Sequence, residues 1–351
     1  MHMRVAGLLL VLASACSHTP AAKTPARHNR LVAIDLFGTT QITRDQLIAA
    51  CGDDLTRFAN AMMAGEPTAP EPLLAKVRAL GNFADVSPAL VGYYTEHGQD
   101  YYLTVDVVDA ADATRRMAFA AAPTGTFADP DGLLASWTTY EEKVWSELNA
   151  GTMKLQRVSC PAYHCWGDHE HPAVREIAAR MFAAAPAHVD ELVAILTSDR
   201  DGTHRGAAAY LIAMAPDGTR VVEAMLSRLR DPEELVRNNT LRVLAEIARF
   251  HPDVAIPVEP LLDALDYPTT LDRNKASATL DALLERGMSP ELRDRVLKRS
   301  SSVLLAMLRL QQPNNHDFAY SILKRLAGKD FGERNYEAWE AWVAQHATSP
   351  H

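Results

Sequence analysis

The densest group of reactive side chains is the segment CPAYHCWGDHEH, which carries Cys160, His164, Cys165, His169 and His171. Thiolates and imidazoles at short spacing are zinc ligands. The spacing here is C-x4-C-x3-H-x-H, whereas structural zinc normally uses two separated ligand pairs, and it matches no zinc motif. Three chemistries fit these residue types: a Cys160–Cys165 disulfide, a bound metal, or free thiols. The disulfide is the reading taken for an exported chain, because the compartment is oxidising. No metal site is assigned. Cys51 sits in AACGDD, where Asp53 and Asp54 oppose thiolate formation, so it reads as a small buried residue. Arg175, Arg205, Arg237 and Arg273 recur at near-constant spacing. They fit either an anionic ligand or hydrogen bonds between repeats to acids such as Asp231, and the structural role is preferred. Asn238 opens an NNT glycosylation sequon that falls inside a repeat and carries no weight. No Gly-rich phosphate loop, nucleophile elbow or recognisable carboxylate pair is present. Asp and Glu are scattered as on a solvated face, so no catalytic residue and no cofactor is assigned.

The chain opens MHMRVAGLLLVLASAC. Arg4, a short apolar run from Val5 to Leu12, and the small residues Ala13, Ser14 and Ala15 describe a secretory signal. The run is shorter than the roughly 20 apolar residues needed to span a bilayer. With Cys16 next, the segment resembles the lipobox of bacterial lipoproteins, where cleavage before the cysteine leaves it carrying diacylglycerol. That family usually has Leu three residues before the cysteine; here Ala13 holds the position and Leu12 lies one further back. The resemblance implies a signal peptide over 1–15, lipidation of Cys16 and a lipid-anchored, periplasm-facing protein of the cell envelope. Ser17 follows the cysteine where an aspartate often signals inner-membrane retention, which favours the outer membrane. Residues 16–30 are rich in Ala, Thr and Pro and read as a disordered tether. The net charge of −9 argues against nucleic acid as a partner.

Residues 31–110 read as a small α+β unit. Val32, Ile34 and Leu36 alternate as in a half-buried strand, and Gly38 turns the chain. Thr43 and Gln46 form a capping box that opens a helix to about Met63. Leu73, Leu74, Val77 and Leu80 mark a second helix ending at Gly81. Two strands follow, joined by a turn at Glu96 to Asp100; Leu103, Val105 and Val107 face one way, Thr104 and Asp106 the other. The order is β-α-α-β-β. With GTTQIT, GNFADV and YYLTVDVVD in place, this segment resembles the POTRA domain of outer-membrane assembly and secretion proteins. The resemblance implies a peptide-binding unit that adds a partner strand at a sheet edge and has no catalytic residues. POTRA domains usually precede a β-barrel, and none follows here.

Residues 111–170 form a junction with one helix, striped by Leu133, Trp137, Tyr140, Val144 and Leu148, and then the Cys/His loop. Residues 171–347 repeat a helix pair about every 30 to 36 residues. The pattern around Asp231, Val236 and Arg237 resembles HEAT repeats, which implies an α-solenoid; Trp339 and Trp342 cover its last apolar face. The fold class expected is therefore a POTRA-like α+β domain followed by an α-solenoid of HEAT-like helix pairs. The function expected is a non-enzymatic protein-binding scaffold, with the sheet edge and the concave helical face as binding surfaces. The alternative is an enzyme or a metal- or ligand-binding accessory factor with its site in the junction around Cys160, Cys165 and Trp166.

Overall fold

The structure is a computed structural model that describes residues 28–66, 68–95, 98–154 and 159–347. The signal segment, Cys16 and most of the tether lie outside these. The first strand, β1 (His28–Phe37), begins inside the segment read as tether. It is followed by α1 (Arg44–Met63), α2 (Glu71–Arg78), β2 (Phe83–Thr95) and β3 (Gly98–Asp109).

Local chemistry accounts for each of these elements. The Thr43 hydroxyl accepts from the Gln46 backbone N–H, and the Gln46 side chain accepts from the Thr43 N–H at 2.8 Å, so two orphan donors are satisfied at the start of α1. Leu47, Cys51, Leu55 and Ala59 recur every fourth residue and are the buried stripe of α1. They meet Leu73, Leu74 and Val77 of α2 and Leu103, Val105 and Val107 of β3 in one small core. The sheet order is β1-β3-β2, with β1 parallel and β2 antiparallel to the central β3. Gly38, at φ 93°, turns the chain out of β1; a Cβ there would sit 2.2 Å from the Val107 carbonyl oxygen, so only glycine fits.

The remainder is helical: α3 (Ala113–Arg116), α4 (Leu133–Ala150), α5 (Arg175–Ala184), α6 (Val189–Ser198), α7 (Gly202–Ile212), α8 (Gly218–Leu226), α9 (Glu234–Phe250), α10 (Glu259–Ala264), α11 (Thr270–Arg286), α12 (Pro290–Leu308), α13 (Pro313–Ala327) and α14 (Tyr336–His346). Asp201, Asp217, Thr269, Ser289 and Gln312 each place a side-chain oxygen on a first-turn N–H and so set where five of these helices start. Helices α7, α9, α11 and α13 pack side by side, with α8, α10 and α12 paired behind them. The chain is thus mostly helical with one small three-stranded sheet. One apolar core runs from Leu133 in α4 to Val343 in α14, so the junction helix is the first member of the array. Trp339 and Trp342 are buried at its far end.

The sheet has a second buried face. Val32 is exposed, but Ala33, Asp35 and Phe37 of β1 and Thr104 and Asp106 of β3 are buried against the helices. The strands expected to be half buried are therefore covered on both sides. From the sheet the chain returns along the array in reverse order. Arg116 reaches the Asp266 carbonyl, the Ala120 N–H donates to Arg230, and Gly125 pairs with Ser198 and Arg200 before α4 begins.

Candidate functional site

Three of the recurring arginines form a buried ladder at the N-terminal ends of the inner helices. Arg205 holds the Asp231 carboxylate in a two-pronged contact at 3.0 and 2.7 Å. Arg237 reaches Asp272 at 2.9 Å. Arg273 closes the ladder on the sheet, on Asp106 of β3 at 2.5 Å. Arg175 is exposed and takes no part. Burial pushes the Asp106 and Asp272 carboxyls above their ordinary range, opposed by the neighbouring arginines. Asp231, held by Arg205 and Arg228, lies below it despite burial. Aromatic rings from the N-terminal part cover two rungs: Phe37 lies 3.6 Å from the Arg273 guanidinium and Phe119 4.1 Å from that of Arg237.

The sheet also supplies helix caps. Asp106 accepts from the Thr270 N–H at 2.8 Å and from its hydroxyl at 2.9 Å, at the start of α11. Asp35 accepts from the N–H groups of Gln311 and Gln312, both at 2.9 Å, at the start of α13. Two carboxylates on one sheet face thus sit at two adjacent helix N-termini, where orphan donors and the helix dipole favour negative charge. Burial raises the Asp35 carboxyl and the two donors pull it back. The Tyr93 hydroxyl of β2 accepts from the Gln312 amide and the Asn314 N–H, both at 3.0 Å. Arg116, buried, donates to the Gly38, Val107 and Asp266 carbonyls and completes the dock. Burial, ahead of repulsion from Arg273, lowers its pKa to about 10.

What this dock leaves open is the outer edge of β2. Among the described residues the strand pairs only with β3, Pro88 stands opposite Val105, and Ser87 to Val91 are half exposed. Proline cannot donate to a ladder and belongs at such an edge. Near it, α1 and α2 frame a cleft of about 300 Å³ lined by Asp54, Phe58, Leu73 and Lys76.

The Cys/His loop is dispersed. Cys160 and Cys165 are joined by a disulfide. His164 is buried, stacked on Tyr210 at 4.9 Å, and both ring nitrogens lack a hydrogen-bond partner among the described residues. Burial, ahead of the Arg242 charge, lowers its pKa to about 3, so it is neutral. His169 packs edge-on against Phe182, and the His171 ring accepts from the Ala173 N–H. Among the described residues no three metal-ligating side chains converge. Trp137 stacks on Tyr210 at 4.6 Å, and Trp166 lies under Arg242 at 4.9 Å. Cys51 is buried in the sheet unit's core, and burial raises its thiol pKa.

The ladder and the open strand arise from positions that the sequence singles out. The docking carboxylates Asp35 and Asp106 do not, and the expectation that acids lie on a solvated face is corrected at these two and at Asp199 and Asp272. The available signal was a lone charge inside each of the apolar runs LVAIDLF and LTVDVV.

These features define a mixed three-stranded sheet docked, through buried ion pairs and helix caps, on stacked helix pairs. No family model matches the chain, and no curated protein matches it. Among solved structures, yeast importin-beta (Kap95p) is similar, at 15% identity and a TM-score of 0.36. The match covers 60% of this chain and 30% of that one, so the chain spans less than a third of the protein it matches.

Proposed function

We propose that this protein is a non-enzymatic scaffold of the bacterial cell envelope, lipid-anchored through Cys16, that binds a protein partner by strand addition at β2. In this reading the sheet unit is a POTRA-like domain and the stacked helices are HEAT-like repeats. The observation that carries it is the unpaired edge of β2 on a sheet whose other face is locked to the array by Asp35 and Asp106. A rigidly held edge offers backbone donors and acceptors at little ordering cost, and natural proteins either blunt such edges or use them. The lipid anchor rests on the signal and Cys16, the outer membrane on Ser17.

The test is hydrogen exchange on the complex captured from detergent-solubilised envelope. New protection of amides from Val86 to Tyr93 is the expected result. Protection confined to α7, α9, α11 and α13 would make the helical face the binding surface and the sheet unit a spacer. Recovery of a bound small molecule and no protein would overturn the scaffold reading.

A further inference from the structure

The ladder accounts for Arg205, Arg237 and Arg273, each on an aspartate. Two other partly buried cations of the same helices have no such partner. Arg242 of α9 and Lys275 of α11 form no ion pair within 4 Å among the described residues, and both line one cleft of about 290 Å³ between α9, α11 and α13. Among the described residues the Arg242 Nε is buried without a hydrogen-bond partner, while its guanidinium lies over the Trp166 ring and is hydrogen-bonded to the Tyr210 side chain. Lys275 donates to the neighbouring Asn274 side chain, which leaves donors of its ammonium for another acceptor.

Two of the three acids of the cleft are engaged elsewhere, and the third, Glu246, faces Lys275. Asp281 accepts from Ser321 and Arg325, and Glu285 pairs with Arg325. Glu246 acts on Lys275 electrostatically. Behind Arg242, Glu141 of α4 is hydrogen-bonded to Trp137; burial raises its carboxyl pKa, opposed by that bond and by the Arg242 charge. Arg249 adds a third positive charge at the rim. Ala245, Ala278, Ala282 and Phe318 give the cleft an apolar wall. A volume near 300 Å³ is at the small end of ligand pockets, and a few converging polar groups on an apolar wall are their usual composition.

We propose that this cleft binds a small organic anion, its carboxylate or phosphate held between Arg242 and Lys275 and its apolar part against Phe318 and the alanines. The planar fork of arginine suits either oxyanion. The inference does not rest on the scaffold reading, and its test uses the purified chain without a protein partner.

The affinity depends on pH with a definite sign. Burial, ahead of the Arg242 charge and opposed by Glu246, lowers the Lys275 pKa to about 7. An anion beside it favours the ammonium, so affinity is highest below neutrality and falls as pH rises through that value.

Isothermal titration calorimetry with succinate, acetate and inorganic phosphate, at pH 6 and pH 8.5, tests it. Saturable binding at about 1 mM or tighter at pH 6, weakened several-fold at pH 8.5, is expected. Binding by the carboxylates alone identifies a carboxylate ligand; binding by phosphate alone identifies a phosphate ester. Arg242→Gln and Lys275→Met each weaken it at least tenfold, while Lys298→Gln, on the exposed face of α12, leaves it unchanged. Should the variants unfold, the unaltered protein still decides, through the pH dependence and a change of Trp166 emission on titration that Trp166→Phe abolishes. The absence of saturable binding by any probe, or equal binding in both cleft variants, overturns the proposal.

Discussion

Replacing Asp106 by alanine is the most direct probe of the dock. The change leaves Arg273, fully buried, without its carboxylate, and strips the Thr270 N–H and hydroxyl of their acceptor. Removing one partner of a buried ion pair costs about 3–5 kcal/mol, because the remaining charge stays desolvated. Leaving the buried Thr270 N–H without its acceptor costs about 1 kcal/mol more, while the Thr269 cap is kept. Arg273 keeps the Tyr267 and Pro268 carbonyls and the Phe37 ring, which offsets part of this. The expected loss is therefore about 3–5 kcal/mol of unfolding free energy. Because a chain of this kind can open in parts, urea unfolding is followed by tryptophan fluorescence and far-ultraviolet dichroism together, with hydrogen exchange of the β3 amides. The companion Asp106→Leu with Arg273→Met removes both charges and should recover most of the loss, since an apolar pair of similar volume replaces a buried ion pair at little cost. A single variant within about 0.5 kcal/mol of the parent, or a double variant no better than the single, refutes the reasoning.

Two further outcomes follow from the same chain. His164 is held neutral in the fold at a pKa of about 3, against an ordinary 6.5, so the unfolded chain binds the extra proton between these values. Its contribution to stability is complete above about pH 6.5 and is lost as pH falls toward 3, at roughly 1.4 kcal/mol per pH unit. Melting curves of His164→Phe should show a shallower acid limb than the parent, and an unchanged limb would contradict the burial argument. Cys16→Ser removes the proposed acyl anchor, so fractionation should find the protein soluble or unprocessed, and a processed variant still in the membrane fraction would refute lipidation.

Much of the local structure was legible. The Thr43/Gln46 box, the buried stripe of α1 and the apolar stripe of α4 are short-range signals, since spacing along a helix or strand fixes which residues share a face. The arginine spacing likewise pointed to hydrogen bonds between helix pairs, which Arg205, Arg237 and Arg273 make and the exposed Arg175 does not. What spacing cannot give is the cover on a face. Thr104 and Asp106 alternate with Leu103 and Val105 as a solvent face would, yet they are buried, because the helices that cover them lie some 160 residues away in the chain. Arg242 and Lys275 reach one cleft from helices 33 positions apart, with no motif to link them. The Cys/His loop errs the other way: its residues are close in sequence, but the fold sends His164 inward to Tyr210 and His169 to Phe182.

The segment between β3 and α4 gives the molecule the form of a strung bow. In the helical part, α7, α9, α11 and α13 each pack against the next in line. Here residues 116–125 run against the stave from Asp266 to Arg230 to Ser198, advancing four or five residues per helix pair. One end of the string is tied to α11 and α13 through the sheet, the other to α7 through α4. The string thus joins three successive helix pairs through backbone hydrogen bonds at fixed positions along its own length.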